Sequence, residues 1–385
     1  MFCIVRRFSR FSWRGVLALV LIAVAGTAAG GERAPQICAG FACAFFDPNP
    51  DKPAWVKAAD LDRDGTPELV VSVFAGSSPV GAGYIAVYRR DGDVTSWKKA
   101  VLPGSEGTKF ANDTTIVDVD GDGDPDIVAP SGFLATTPFS SGALAWFENL
   151  GNNAWKKQVI TQKQKLFYHF VEYVDIDGDG HRDFVTVAES KGAGVETQYF
   201  KGQGQGKFAA TPTVIAKNAL GSIPRVVDLD RDGDPDIVSA QYFVTDGAAA
   251  WLENLGGCAW RKHVIDDRIG PSIQLSLVPD LCGDGRTMAV LANHVNSADT
   301  PQGPKEGVFL LPVPETADEL IAPWPGKLIA TGIKSRPSPA MMPQGAPGVF
   351  RWGDIDGDAD IDLVVHGDGI EHDNGFRLGR SHGIK

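Results

Sequence analysis

Five aspartates stand within nine residues in the stretch DVDGDGDPDIV: Asp118, Asp120, Asp122, Asp124 and Asp126. Carboxylates that close repel one another, so either a cation holds them or the segment stays unfolded. Alternate residues of a tight loop can bring their side chains to one side. Carboxylates so placed, with no Cys or His among them, form an all-oxygen cage, which suits Ca2+ and not zinc.

The phrase recurs as DLDRDGTPELVV (60–71), DVDGDGDPDIVA (118–129), DIDGDGHRDFVT (175–186) and DLDRDGDPDIVS (228–239). A worn copy, DLCGDGRTMAVL (280–291), and a last one, DIDGDADIDLVV (354–365), complete the set. A period of about 50–60 residues signals an array or a propeller. Positions 1, 3, 5 and 9 of the copies supply the candidate metal ligands. They are Asp60, Asp62, Asp64 and Glu68, then Asp118, Asp120, Asp122 and Asp126. The third and fourth copies add Asp175, Asp177, Asp179 and Asp183, and Asp228, Asp230, Asp232 and Asp236. The last copy adds Asp354, Asp356, Asp358 and Asp362. Gly at position 6 permits the sharp turn. Position 7 (Thr66, Asp124, His181, Asp234 or Asp360) can add a backbone carbonyl, as calcium loops do. About five structural Ca2+ sites are expected. The worn copy keeps only Asp280 and Asp284, with Cys282 and Met288 in the other two places, and should hold no tight metal. In the last copy Ala359 stands where Gly belongs.

An EF-hand is excluded, because its loop needs Glu at position 12 and then a helix. Here position 12 is Val71, Ala129, Thr186, Ser239 or Val365, inside a β-branched run. Acidic hairpin turns without metal are the bland alternative. Disorder does not fit 43% hydrophobic and 22% charged residues. With 45 Gly and 25 Pro and no long amphipathic stretch, the chain reads as all-β, TADEL (316–320) being its best helical candidate.

Together with FAGSSPVGAGYIAVYR (74–89), the loops resemble the FG-GAP repeats of integrin α-subunit propellers and their bacterial VCBS-type relatives. AWFENLGNNAWKKQVI (145–160) and AWLENLGGCAWRKHVI (250–265) are more similar to the bacterial branch. The resemblance runs from about residue 56 to 366 and implies a β-propeller with Ca2+ in a loop of each blade. It implies no single activity. In the second repeat, strands are expected at 114–119, 126–130, 143–150 and 155–160, four to a blade. Six blades are expected, with seven as the alternative. The last blade is incomplete, since nothing like the AWFENLG segment follows Val365.

Residues 1–29 carry Arg6, Arg7, Arg10 and Arg14, then the apolar run VLALVLIAVAGTAA, and read as a secretory signal peptide. An uncleaved anchor is the alternative. Residues 30–55 form an N-terminal segment that could close the ring, and 56–385 form the propeller. Cleavage leaves 32 of 36 basic residues against 48 acidic ones, a formal charge of −16. No later segment could span a bilayer, and no basic stripe points to nucleic acid. The protein is expected to be secreted, periplasmic or at the cell surface. In that compartment two disulfides are expected, Cys258–Cys282 beside the worn loop and Cys38–Cys43, with free thiols as the alternative.

Candidate ligand-binding residues lie away from the aspartate loops. Tyr168 and His169 are placed in the connection before the third blade, and Tyr242 and His294 in loops after second strands. Three residues before each metal loop stand Lys57, Thr115, Glu172, Arg225, Leu277 and Arg351. Glu172, Arg225 and Arg351 could line an axial pocket; ion pairing between blades is the structural alternative. No nucleophile–base pair, zinc signature or phosphate loop is evident. The expected function is therefore a calcium-stabilised, non-catalytic binding or adhesion module for an extracellular protein or polysaccharide. The alternative is a polysaccharide lyase-like enzyme working from the propeller axis.

Overall fold

A computed structural model of the 385-residue chain describes residues 2–7, 20–23, 41–45, 53–74, 83–92, 96–132, 142–190, 194–221, 223–242, 248–294, 307–331, 348–354, 359–365 and 377–379. Side chains are described except at residues 2–7, 20–23, 41–45, 163, 164, 190 and 377–379. The chain divides into two compact units, Met1–Phe167 with Asp354–Ala359, and Tyr168–Gly353 with Asp360–Lys385. Among the described residues no helix is long and apolar enough to cross a membrane.

In the first unit, β1 (Phe2–Arg7), β2 (Val20–Ala23) and β3 (Phe41–Phe45) pair antiparallel in the order β2-β1-β3. Two four-stranded meanders follow. One runs through β4 (Pro53–Ala59), β5 (Glu68–Val73), β6 (Tyr84–Arg90) and β7 (Trp97–Val101). The other runs through β8 (Thr115–Val117), β9 (Asp126–Ser131), β10 (Gly142–Asn149) and β11 (Trp155–Gln164). These last four bounds fall within a few residues of those expected from sequence.

The second unit repeats the meander three times. The first uses β12 (Phe167–Val174), β13 (Asp183–Ser190), β14 (Gly194–Phe200) and β15 (Thr213–Lys217). The next uses β16 (Arg225–Val227), β17 (Asp236–Ala240), β18 (Ala249–Asn254) and β19 (Trp260–Asp266). The third has β20 (Ser272–Pro279), β21 (Thr287–Asn293), β22 (Gly307–Pro312) and β23 (Lys327–Thr331), with the one-turn helix α1 (Ala317–Leu320) before its last strand. A three-stranded sheet of β24 (Phe350–Gly353), β25 (Asp362–Val365) and β26 (Arg377–Gly379) ends the order.

Each meander is a blade: consecutive strands, short turns, antiparallel throughout. Second strands are buried along their whole length in β5, β9 and β17, whereas the outer strands β7, β15 and β23 are largely exposed. A strand covered on both faces is apolar without alternation, which is why DIVAP and DIVSA read as continuous runs. The covering comes from the next blade. Val70 and Val87 pack with Ile127 and Phe147, and Val185 and Tyr199 with Ile237 and Leu252. Trp251 packs with Leu275 and Leu291, and Val290 and Leu310 with Phe350 and Leu363. The buried indoles of Trp251, in the blade before, and of Trp324 both donate to the carbonyl of Leu320, which ties α1 to both.

Two expectations are corrected. Among the described residues five blades have four strands, against the six or seven blades expected, and the last sheet, β24 to β26, has three, as expected of an incomplete last blade. The physical reason is the sequence after Val365, which is Gly-, His- and Asp-rich and holds no apolar strand pair like ALAWFENL and WKKQVI. The Cys258–Cys282 disulfide is also absent: both are free thiols. Cys258 sits exposed at a turn with φ +68°, while Cys282 packs with Leu281 and Met288 against the cluster that includes Leu363. Burial, and then the Asp284 carboxylate, push the Cys282 thiol up. The Cys38–Cys43 pair lies outside the described residues and side chains. Under native conditions a maleimide should therefore modify Cys258 quickly and Cys282 at least tenfold more slowly, read by peptide mass mapping. A Cys258–Cys282 crosslinked peptide would refute the assignment.

Candidate metal centres in the aspartate loops

One hydrogen bond is common to all six loops: the first aspartate accepts the N–H of the sixth residue. The distances are 2.9 Å for Gly65 to Asp60, 2.9 Å for Gly123 to Asp118 and 2.8 Å for Gly180 to Asp175. They are 3.2 Å for Gly233 to Asp228, 2.7 Å for Gly285 to Asp280 and 3.1 Å for Ala359 to Asp354. The bond needs a left-handed residue at position 6, where φ runs from +72° at Ala359 to +100° at Gly233. Glycine adopts this conformation freely; alanine is strained in it. The aspartate at position 5 accepts the N–H of residue 7, from Thr66 to Asp64 (2.7 Å) through Asp234 to Asp232 (2.9 Å). Much of each carboxylate's demand is thus met by the loop's own amides.

The ninth residue does something else. Glu68, Asp126, Asp183 and Asp236 are buried at the start of the second strand. Each accepts the N–H of loop residue 2, namely Leu61, Val119, Ile176 and Leu229, at 2.8–3.0 Å. In three blades the other oxygen accepts an N–H from the end of the third strand or just beyond it: Asn149, Gly202 and Asn254. Burial pushes Asp126 up to about 7, and Asp183 and Asp236 up to about 6, against these bonds. Burial also raises Glu68. A nearby cation is what would offset that cost.

Carboxylates converge in four loops, with one ligand atom from each residue within 4.8 Å of the others. The groups are Asp60, Asp62 and Glu68; Asp118, Asp120 and Asp122; Asp175, Asp177 and Asp183; and Asp228, Asp230 and Asp236. Two oxygens, Oδ1 of Asp60 and Oδ1 of Asp177, are buried and accept no hydrogen bond. An all-oxygen donor set with orphaned buried carboxylate oxygens fits a calcium ion. Such an ion could draw on positions 1, 3, 5 and 9 and on the carbonyl of residue 7. In the worn fifth loop the acid that remains at position 5, Asp284, is held by a fork from Arg286 at 2.6 and 2.9 Å. In the sixth loop Asp354, Asp360 and Asp362 are described, and Asp356 and Asp358 lie outside the described residues.

The candidate ligand-binding residues are tied into the blades. Tyr168 and His169 belong to strand β12 and not to a loop, because the apolar run FYHFVEYV pairs in the sheet throughout. Tyr168 is buried, with Gln198 at 3.4 Å from its hydroxyl, and burial pushes it up to about 12. His169 Nε2 lies 3.6 Å from the buried Glu189. Arg225 pairs with Glu172 at 2.9 Å and lies 4.5 Å over the Phe170 ring. Tyr242 meets the buried His294 edge-to-face at 5.1 Å. Arg351 donates to the carbonyl of Phe350. Lys57 pairs with the buried Asp113 at 3.1 Å.

The asparagine of the ENLG segments has a role that no motif in the sequence announces. Asn149 Nδ2 donates to the carbonyl of Leu61 in the preceding blade's loop (2.9 Å) and to that of Pro125 in its own (3.1 Å). Its Oδ1 accepts from Gly151 N. Asn254 repeats the arrangement on Ile176, Pro235 and Gly256. The recurrence of Asn at the same place in two repeats was the available signal. Asn149→Ala should lower stability by about 2–3 kcal/mol in denaturant unfolding, since buried carbonyls lose their donor. Ala359→Gly should raise it by about 1 kcal/mol by relieving the left-handed strain.

Residues 175–239, one whole repeat interval with two aspartate loops, match the FG-GAP-like repeat family. No curated protein matches the chain. Among 31 matching solved chains is the Hadza microbial sialidase Hz136, at 12% identity and a TM-score of 0.45. That match covers 83% of this chain, which spans 65% of the sialidase. Residues 175–239 thus carry an FG-GAP-like repeat, and the meander blades that bear its loops have the arrangement of a β-propeller.

Proposed function

We propose that the protein is an exported, calcium-stabilised propeller that binds an extracellular polysaccharide or protein without catalysis. The carrying observation is the convergence of carboxylates in four loops, where the same side chains accept hydrogen bonds from the loops' own amides. The signal-like first 29 residues support export, and millimolar extracellular calcium suits loops of this kind. Bound calcium would neutralise the loop carboxylates; Asp62, Asp118, Asp175 and Asp228, with their neighbours, would hold it. At calcium ten times the dissociation constant each site contributes about 1.4 kcal/mol. Four such sites would add about 5–6 kcal/mol, comparable to the net stability of a domain.

For the ligand, one side chain supports a glycan. Trp352 on β24 is 42% exposed, the only aromatic residue in the exposed class among the described residues. An exposed indole on a strand can stack on the apolar face of a sugar ring. The enzyme alternative is favoured by one pair, His169 beside the buried carboxylate of Glu189, which could move a proton.

EDTA should lower the melting temperature by roughly 10 °C, with recovery on adding Ca2+. An unchanged transition would refute the calcium role. The protein folded in calcium should be retained on at least one polysaccharide of a panel, less so after Trp352→Ala, with no release of unsaturated ends. Release abolished by His169→Ala would establish the enzyme alternative.

A further inference from the structure

In four blades the third strand places one side chain beside the aspartate loop. Register identifies it. Residue 10 of the loops is Leu69, Ile127, Phe184 or Ile237, and it pairs with Tyr88, Phe147, Phe200 or Leu252. The next residue along is Arg89, Glu148, Lys201 or Glu253. The four loops therefore differ in the sign of a charge at one equivalent place.

In the third loop the consequence is direct. Lys201 Nζ lies 2.5 Å from Asp177 Oδ2 and 2.9 Å from Asp179 Oδ2, spanning positions 3 and 5 of the ligand set. The Tyr199 hydroxyl also reaches Asp177, at 3.4 Å. Arg89 stands off the first loop, at 4.0 Å from Asp62 and 3.9 Å from Glu68. Glu148 and Glu253 instead add carboxylates next to loops two and four, and their own cations come from the outer strand, Lys156 and Arg261. Among the described residues no Lys or Arg nitrogen lies within 4.0 Å of the ligand carboxylates of those two loops. Arg63 reaches only the position-7 side chain, Asp124. The worn fifth loop shows the end point of this substitution, since its remaining position-5 acid is held by Arg286.

We infer that Lys201 is a tethered counter-ion that competes with Ca2+ in the third loop, so that this loop binds more weakly than loops two and four. The inference rests on the calcium reading of the loops. An ammonium between two ligand carboxylates must be displaced, or must repel the incoming ion, whereas an added Glu attracts it. A unit charge at contact distance in a largely aqueous loop changes the affinity for a divalent ion by at least about tenfold. The same Lys201 would hold the loop together when calcium is scarce.

The test is isothermal titration of the chelator-stripped full chain with CaCl2. Lys201→Gln should tighten one site about tenfold, and Lys201→Arg should not. The gain should vanish when Asp175→Asn is added. Lys217→Gln, which removes a charge from the outer-strand pair with Glu196, should leave the isotherm unchanged. In EDTA the Lys201→Gln variant should melt below the unsubstituted protein, and in saturating calcium it should not. A Lys201→Gln isotherm that superimposes on the unsubstituted one, or an equal gain from Lys217→Gln, would overturn the inference while leaving the calcium reading intact. No calcium heat in any variant would overturn both.

Discussion

The repulsion among loop carboxylates is the constraint that the rest of the structure answers to. Each loop answers it first with its own backbone: position 1 takes the amide of position 6, and in loops one to five position 5 takes that of position 7. The first of those bonds goes with a left-handed position 6, a conformation that glycine adopts freely and Ala359 adopts under strain. What the amides do not satisfy, shown by the orphaned oxygens of Asp60 and Asp177, is left for a cation. The chain supplies cations of its own in some loops and adds further acids in others, which makes nominally identical repeats electrostatically distinct.

The loops are also joints. The ninth acid ties the loop to the second and third strands of its blade, and the ENLG asparagine ties it to the loop of the blade before. Asn254 does the same for loops three and four. Polar bonds of this kind fix the spacing at the loop ends, while the clusters around Phe147 and Leu252 supply the non-directional attraction between blade faces. Register comes from the first and cohesion from the second.

Much of this was legible in the sequence because it repeats. The D-x-D-x-D-G phrase fixed where first strands end and second strands begin, and β8 to β11 fall close to where the second repeat places them. What misled the reading lacked a repeat to check it. Tyr168 and His169 read as a loop because Gln and Lys precede them, yet β11 and β12 run almost into one another. Cys258 and Cys282 suggested a bridge because both sit in turns, but one thiol is exposed and the other packs against an apolar cluster. The charge at the third-strand position could not be read without register, since Arg89, Glu148, Lys201 and Glu253 alternate in sign and are not one residue type.

The outer strands carry one further consequence. An edge strand presents unpaired amides and carbonyls, a template on which another chain can build. In this protein every four-stranded blade ends in such a strand, and each carries lysine: Lys98 and Lys99, Lys156 and Lys157, Lys217, Lys262, and Lys327. Two copies meeting edge to edge would bring like charges into register at the approach. These seven lysines therefore stand where they oppose edge-to-edge pairing, a safeguard suited to a protein with several open sheet margins.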